Sequence, residues 1–284
     1  DIASEFRYRQ PLIDRDSLVV VISQSGETAD TLAALRESRR LGAEVVAVTN
    51  VVDSSIAREA DHVLYTWAGP EIAVASTKAY TTQLVAMYLL ALHLAAVRGT
   101  VAPGEMGQLV SELKKLGDKA QVILNNCTII RDLAAECSRC EDVFFIGRGL
   151  DHAVAMEGSL KLKEISYVHA EAYAAGELKH GTLALIEEGV PVIALTTQQS
   201  LFEKTVSNIK EVKAREARVI AVAMDGLKEV ARVADHVLYI PNTHPLLAPV
   251  LAVIPLQLLA YHTAVARGCD VDHPRNLAKS VTVE

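Results

Sequence analysis

Positive charge is scarce in this chain. Its 28 lysines and arginines face 35 aspartates and glutamates, so the net charge is 28 − 35 = −7. No run of basic residues breaks that balance, and nucleic acid is therefore not an expected partner. Cysteine is nearly absent too: Cys127, Cys137, Cys140 and Cys269 are too few and too uneven for a disulfide-stapled secreted fold. Cys137 and Cys140 form a CxxC, but a zinc site needs a second close pair or two nearby histidines, so no metal is expected and packing in a reducing cytosol is. A cytoplasmic location follows from that expectation. The longest apolar run, Leu84 to Val97, is interrupted by His93 and falls short of a membrane span, so a soluble protein with no membrane partner is expected. Neither a signal peptide nor an initiator methionine stands at Asp1-Ile2-Ala3, which suggests a fragment of a longer chain.

Aromatic residues make up only 5%, yet half of the 284 residues are hydrophobic. That is enough for one large or two moderate domains, each with its own core. The chain repeats itself at a constant offset: Ala60-Asp61-His62-Val63-Leu64-Tyr65 returns as Ala234-Asp235-His236-Val237-Leu238-Tyr239, and Val45-Val46-Ala47-Val48 returns as Val219-Ile220-Ala221-Val222. Two homologous halves are the expectation. In each half, short β-branched runs alternate with helical stretches, which predicts an α/β fold with parallel sheets covered by helices on both faces. Ala175-Gly176-Glu177-Leu178-Lys179 matches Ala3-Ser4-Glu5-Phe6-Arg7, so the first half has no counterpart to the stretch from about Val143 to Tyr173 and reads as cut short.

One loop draws attention. Leu18 to Ile22 predicts a buried strand and Ala29 to Leu41 a helix stopped at Gly42, with Ser23-Gln24-Ser25-Gly26-Glu27-Thr28 between them. Three hydroxyls and an amide converge where a helix opens with unpaired N–H groups and partial positive charge, a fit for a phosphate provided Glu27 points away. The simpler reading is that Ser25 caps the helix. The equivalent loop in the second half, Thr197-Gln198-Gln199-Ser200, lacks the hydroxyl cluster and the glycine. Only the first half is expected to hold phosphate.

Beside that loop stand Val74-Ala75-Ser76-Thr77-Lys78, Lys161-Leu162-Lys163-Glu164-Ile165, Ala175 to Gly181, and the closing run Pro274-Arg275-Asn276-Leu277-Ala278-Lys279-Ser280. With these motifs in this order, the whole chain resembles the isomerase part of the glutamine–fructose-6-phosphate aminotransferase (glucosamine-6-phosphate synthase) family. The resemblance implies two tandem sugar isomerase (SIS) domains of flavodoxin-like, three-layer α/β/α form. It places the first at 1–100, a helical connection at 101–140, the second at 141–267, and a tail over the active site at 268–284. It implies amination and isomerisation of fructose 6-phosphate, a homodimer, and an ammonia-releasing glutaminase domain elsewhere in the full-length protein. No cofactor is implied. The chain departs from the family pattern at Trp67-Ala68-Gly69, where Asn-Ala-Gly is usual, at Ala73 in place of glycine, and at Thr182 in place of proline.

Moving a double bond between C2 and C1 of an open-chain sugar takes a proton from C1 and returns one to C2, work that one carboxylate can do. Glu164 matches the family's base. Glu157, Lys161 and Glu164 fall on one helical face, so Lys161 can touch Glu164 or donate to developing oxygen charge; a solvated ion-paired stripe is the plainer reading. His180 matches a ring-opening histidine that acts across the dimer. Lys279 matches a lysine near the carbonyl, with Ala278 offering its backbone, against the reading of a mobile terminus. Ser23, Gln24, Ser25, Thr28, Val74 and Ser76 match sugar-phosphate contacts, while Glu71 divides between that role and helix entry. His62, His169 and His236 read as structural or undecided, and Trp67 as packing. The competing reading is a non-catalytic SIS module that senses a sugar phosphate, which would need the loop and no base.

Overall fold

The computed structural model describes residues 1–282. The chain divides into two compact units, one made of residues 1–100 with the tail from Asn276 and the other of Val101–Arg275. In the first unit a short helix α1 (Ala3–Phe6) precedes β1 (Leu18–Ser23), α2 (Ala29–Arg40), β2 (Glu44–Thr49), α3 (Ser55–Glu59), β3 (His62–Tyr65) and α4 (Lys78–Arg98). Its three strands form a parallel sheet in the order β1-β2-β3, with Leu18 opposite Glu44 and Val46 opposite His62. Burial follows the pleat. Val21, Val45 and Ala47 point to one face and close over Leu35 of α2 and Ile56 of α3.

The second unit starts with three helices, α5 (Pro103–Lys114), α6 (Leu116–Asn125) and α7 (Thr128–Cys137). Then come β4 (Asp142–Gly147), α8 (Leu150–Ser166), β5 (His169–Ala174), β6 (Pro191–Leu195), α9 (Phe202–Lys213), β7 (Arg218–Met224), β8 (His236–Ile240) and α10 (Ala248–Ala266). All five strands are parallel, in the order β5-β4-β6-β7-β8. Counted within the unit this is 2-1-3-4-5, the doubly wound flavodoxin-like order, which reverses direction between β4 and β6. Phe144, Ile146, Val192, Ala194, Val219 and Ala221 pack with Ile209 and Val212 of α9 on one face. On the other, α8 and α10 approach so closely that a Cβ added to Gly158 would lie 2.5 Å from Leu256 and 3.0 Å from Phe145. The parallel α/β architecture expected of the halves is therefore present in both units.

The strand at His169–Ala174, the 3-10 turns Ala175–His180 and Thr182–Leu185, and helix α9 were not among the expected elements. The length of the apolar helices also differs from expectation. Both α4 and Pro245–Ala266 are long and apolar enough to cross a membrane by length and composition. His93 does not interrupt α4, since one histidine in a helix leaves every backbone hydrogen bond intact. The two are covered very differently, with 72% of the apolar window buried around α10 and 6% in α4.

Candidate functional site

In the first unit, β1 delivers its last residue, Ser23, into the loop as a buried side chain. Ser23 Oγ lies 2.9 Å from Thr28 Oγ1 and accepts from the Gly26 N–H at 3.1 Å, while Ser25 Oγ accepts from the Glu27 N–H at 3.2 Å. The helix begins at Ala29 with Thr28 as the N-cap residue, so Ser25 does not cap it. Gln24 contributes its carbonyl to the Asn50 N–H. Gly26 has φ +67°, and a Cβ there would stand 2.0 Å from Ser54 Oγ, so the turn admits only glycine. Glu27 turns away from the hydroxyls: its carboxylate accepts from the Ser55 N–H at 2.7 Å. Hydrogen bonding from Ser55 holds the Glu27 carboxyl below its ordinary range. Clustered hydroxyls at the amino end of a twelve-residue helix, with the nearest carboxylate diverted, suit an oxyanion.

The tail is pinned to this unit. Lys279 Nζ donates to the Ala73 carbonyl at 2.5 Å, Ser280 Oγ lies 3.2 Å from Ser25 Oγ, and the Ala29 N–H donates to the Val281 carbonyl at 3.1 Å. This is an anchored segment, not a solvated end. It brings Lys279 beside Val74 and Ser280 onto the hydroxyl loop, with Ala278 exposed. Val74 and Ser76 are half-buried in the approach to α4. Glu71 is a helix-entry residue: its Oε1 accepts from the Thr77 N–H at 2.6 Å, just ahead of Lys78. Trp67 is exposed and rests against Tyr65, with ring centroids 5.6 Å apart.

The second unit carries the carboxylate. On α8, Lys161 is 4% exposed, and its Nζ lies 2.6 Å from Glu164 Oε2 and 3.5 Å from Glu157 Oε1. A solvated stripe is thus ruled out for Lys161; the charge is buried and leans on the two carboxylates one turn away. Glu164 keeps 21% of its side chain exposed. Lys163 faces solvent. His180 ends the 3-10 turn Ala175–His180, three-quarters exposed, with Nε2 3.8 Å from Glu177. His169 opens β5 and pairs with Asp142, His62 pairs with Glu44 and His236 with Arg218, all structural contacts at strand starts. Burial pushes the Cys137 thiol up to about 12, so a thiolate there is suppressed at neutral pH.

Three residues at these loops were not singled out from sequence. Ser54 is buried against Gly26, and its hydroxyl has no hydrogen-bond partner among the described residues. Ser280 completes the hydroxyl cluster. Asp151, buried at the start of α8, accepts from the loop after β6. None of the three has a local signal, because each meets its partner from a distant part of the chain.

The SIS domain model matches residues 1–93 and 137–267. The chain is 65% identical over all of its length to the glutamine–fructose-6-phosphate aminotransferase (isomerizing) of Caldanaerobacter subterraneus subsp. tengcongensis, and 53% to that of Thermus thermophilus, covering 47% of each. It therefore spans about half the length of the curated relatives it matches. Among solved structures, the C-terminal domain of glucosamine-fructose-6-phosphate aminotransferase from Francisella tularensis superposes with a TM-score of 0.93 at 45% identity, over 96% of this chain and 78% of that one.

Proposed function

We propose, from the premise that the chain belongs to the SIS domain family, that it is the sugar-phosphate isomerase portion of a glutamine–fructose-6-phosphate aminotransferase. The substrate would be fructose 6-phosphate with ammonia, and the product glucosamine 6-phosphate. The observation that carries the reading is the buried Lys161 held 2.6 Å from Glu164. A module that only senses a sugar phosphate has no use for an ion pair whose burial costs free energy.

In this reading Ser23, Gln24, Ser25 and Thr28 hold the phosphate. Ammonia adds to the C2 carbonyl and water leaves. Glu164 takes the C1 proton, giving an enolamine, and returns a proton to C2, so that C1 becomes the aldehyde carbon. Lys161, 2.6 Å from Glu164 Oε2, orients the Glu164 carboxylate, and Lys279 answers the charge that develops on the sugar oxygens. His180 opens the ring, and its exposure supports a role in the neighbouring subunit's site of a homodimer. Val74, Ser76 and the Ala278 backbone border the sugar, while Glu71 serves through its hold on the entry to α4. The remaining half of the relatives' length is room for a glutaminase domain that supplies ammonia. Free cysteines accord with a cytoplasmic setting.

The test is solvent exchange. In heavy water with fructose 6-phosphate and ammonia, the chain should wash deuterium into C1 of the ketose and place it at C2 of the aldose product, and Glu164→Gln should slow this about 10²–10⁴-fold while phosphate binding persists. Binding without exchange in the unaltered chain would instead identify a sensor.

A further inference from the structure

Open α/β sheets bind ligands at the carboxyl ends of their strands, where the strand order reverses. In the second unit that point lies between β4 and β6. The loop after β6, Thr197 to Ser200, holds the place in this repeat that Ser23 to Gly26 holds in the first. Its donors converge as an anion site's would. The Thr197 N–H donates at 2.8 Å and the Gln198 N–H at 3.3 Å to one carboxylate oxygen of Asp151, and Thr197 Oγ1 donates at 2.5 Å to the other. Gln198 braces the loop, its Nε2 donating to Thr197 Oγ1 and to the Pro245 carbonyl at 3.1 Å each.

Asp151 itself is 2% exposed, in the first turn of the seventeen-residue helix α8. A carboxylate taken this far out of water is expensive unless its lone pairs are met. Here two backbone N–H groups, a hydroxyl and the positive end of a helix meet them, which are the components of an oxyanion cradle. The second repeat has therefore lost the serines of the first loop but kept a convergent set of donors, with an internal anion in their midst.

We propose that the second unit retains an oxyanion cradle at the β4–β6 switch point and fills it with its own Asp151 carboxylate, so that a free carboxylate-sized anion enters only when that side chain is removed. The two repeats would then hold one open anion site and one closed from within. This rests on the second unit's contacts alone and stands whether or not Ser23 to Thr28 binds a phosphate.

The test is chemical rescue. Asp151→Ala removes the carboxylate and leaves its donors unpaired, so the urea midpoint falls. Formate should restore it saturably, raising the folding constant about tenfold at ten times its dissociation constant, with chloride of equal ionic strength as control. Asp151→Asn keeps the space filled and should show no formate response; neither should the unaltered chain. If Asp151→Ala does not fold in chloride, refolding with formate provides the readout, and folding only in formate supports the cradle. Equal stabilisation of all three proteins by formate, or no effect on Asp151→Ala, overturns it.

Discussion

The two long apolar helices occupy matching places in the repeat and have opposite surroundings. Around α10 most of the apolar surface is buried, including Leu251, Val253, Leu256 and Leu259, whereas α4 buries only Ala79 and Ala86 and leaves Leu89 and Leu94 exposed. The sequences do not account for this, since both helices are apolar all round. What differs is the company. The second unit has α8 lying along α10 at Gly158; among the described residues no helix of the first unit lies along α4 in that way, and its sheet has three strands in place of five. Burial is thus a property of the assembled layers, and the same helix type can be a core element or a bare face.

The sharpest test of that contrast is in the cores. Leu162 on α8 and Leu35 on α2 are both fully buried. Leu162→Ala, in the doubly covered sheet, should cost about 3–5 kcal/mol, and Leu35→Ala, where the surrounding cluster can relax, about 2–3 kcal/mol. Urea denaturation measures both, and equal costs would mean that the smaller cluster is just as rigid. Gly26→Ala comes next. The strain at φ +67° costs about 1–2 kcal/mol before the contact with Ser54 is counted, and inorganic phosphate binding should weaken at least about tenfold. Adding Ser54→Gly should relieve the contact and not the backbone strain; full recovery would assign the whole effect to Ser54. The smallest effect belongs to the bare helix: Leu94→Glu should change stability by no more than about 0.5 kcal/mol. A larger loss in the urea midpoint would show that α4 is covered in solution.

Elements with a strong local pattern were legible beforehand: β1 and α2 lie within a residue of where the apolar pattern places them, and β2 and β7 enclose the two repeated β-branched runs. Edge strand β5 was not, because His169-Ala170-Glu171-Ala172-Tyr173 carries little β-branched or apolar signal and is set by pairing with β4. Ser25 looked like a cap because it precedes a helix, yet the helix starts four residues later, and Ser25 spends its hydroxyl on Glu27 and Ser280. Glu157, Lys161 and Glu164 could be placed on one face from spacing alone. That Lys161 is buried there could not.

From the sequence by itself came the α/β class, the duplication, the hydroxyl loop and the helical face that carries Glu164, because each depends on residues close together in the chain. Only the tertiary structure decided that Glu27 turns to Ser55, that the tail is tied down by Ala73 and Ser25, and that Asp151 occupies the second loop. Those contacts join groups from 28 to 255 residues apart. A donor so placed is chosen by where the sheets and helices bring it once solvent has been excluded, and local spacing holds no record of that choice.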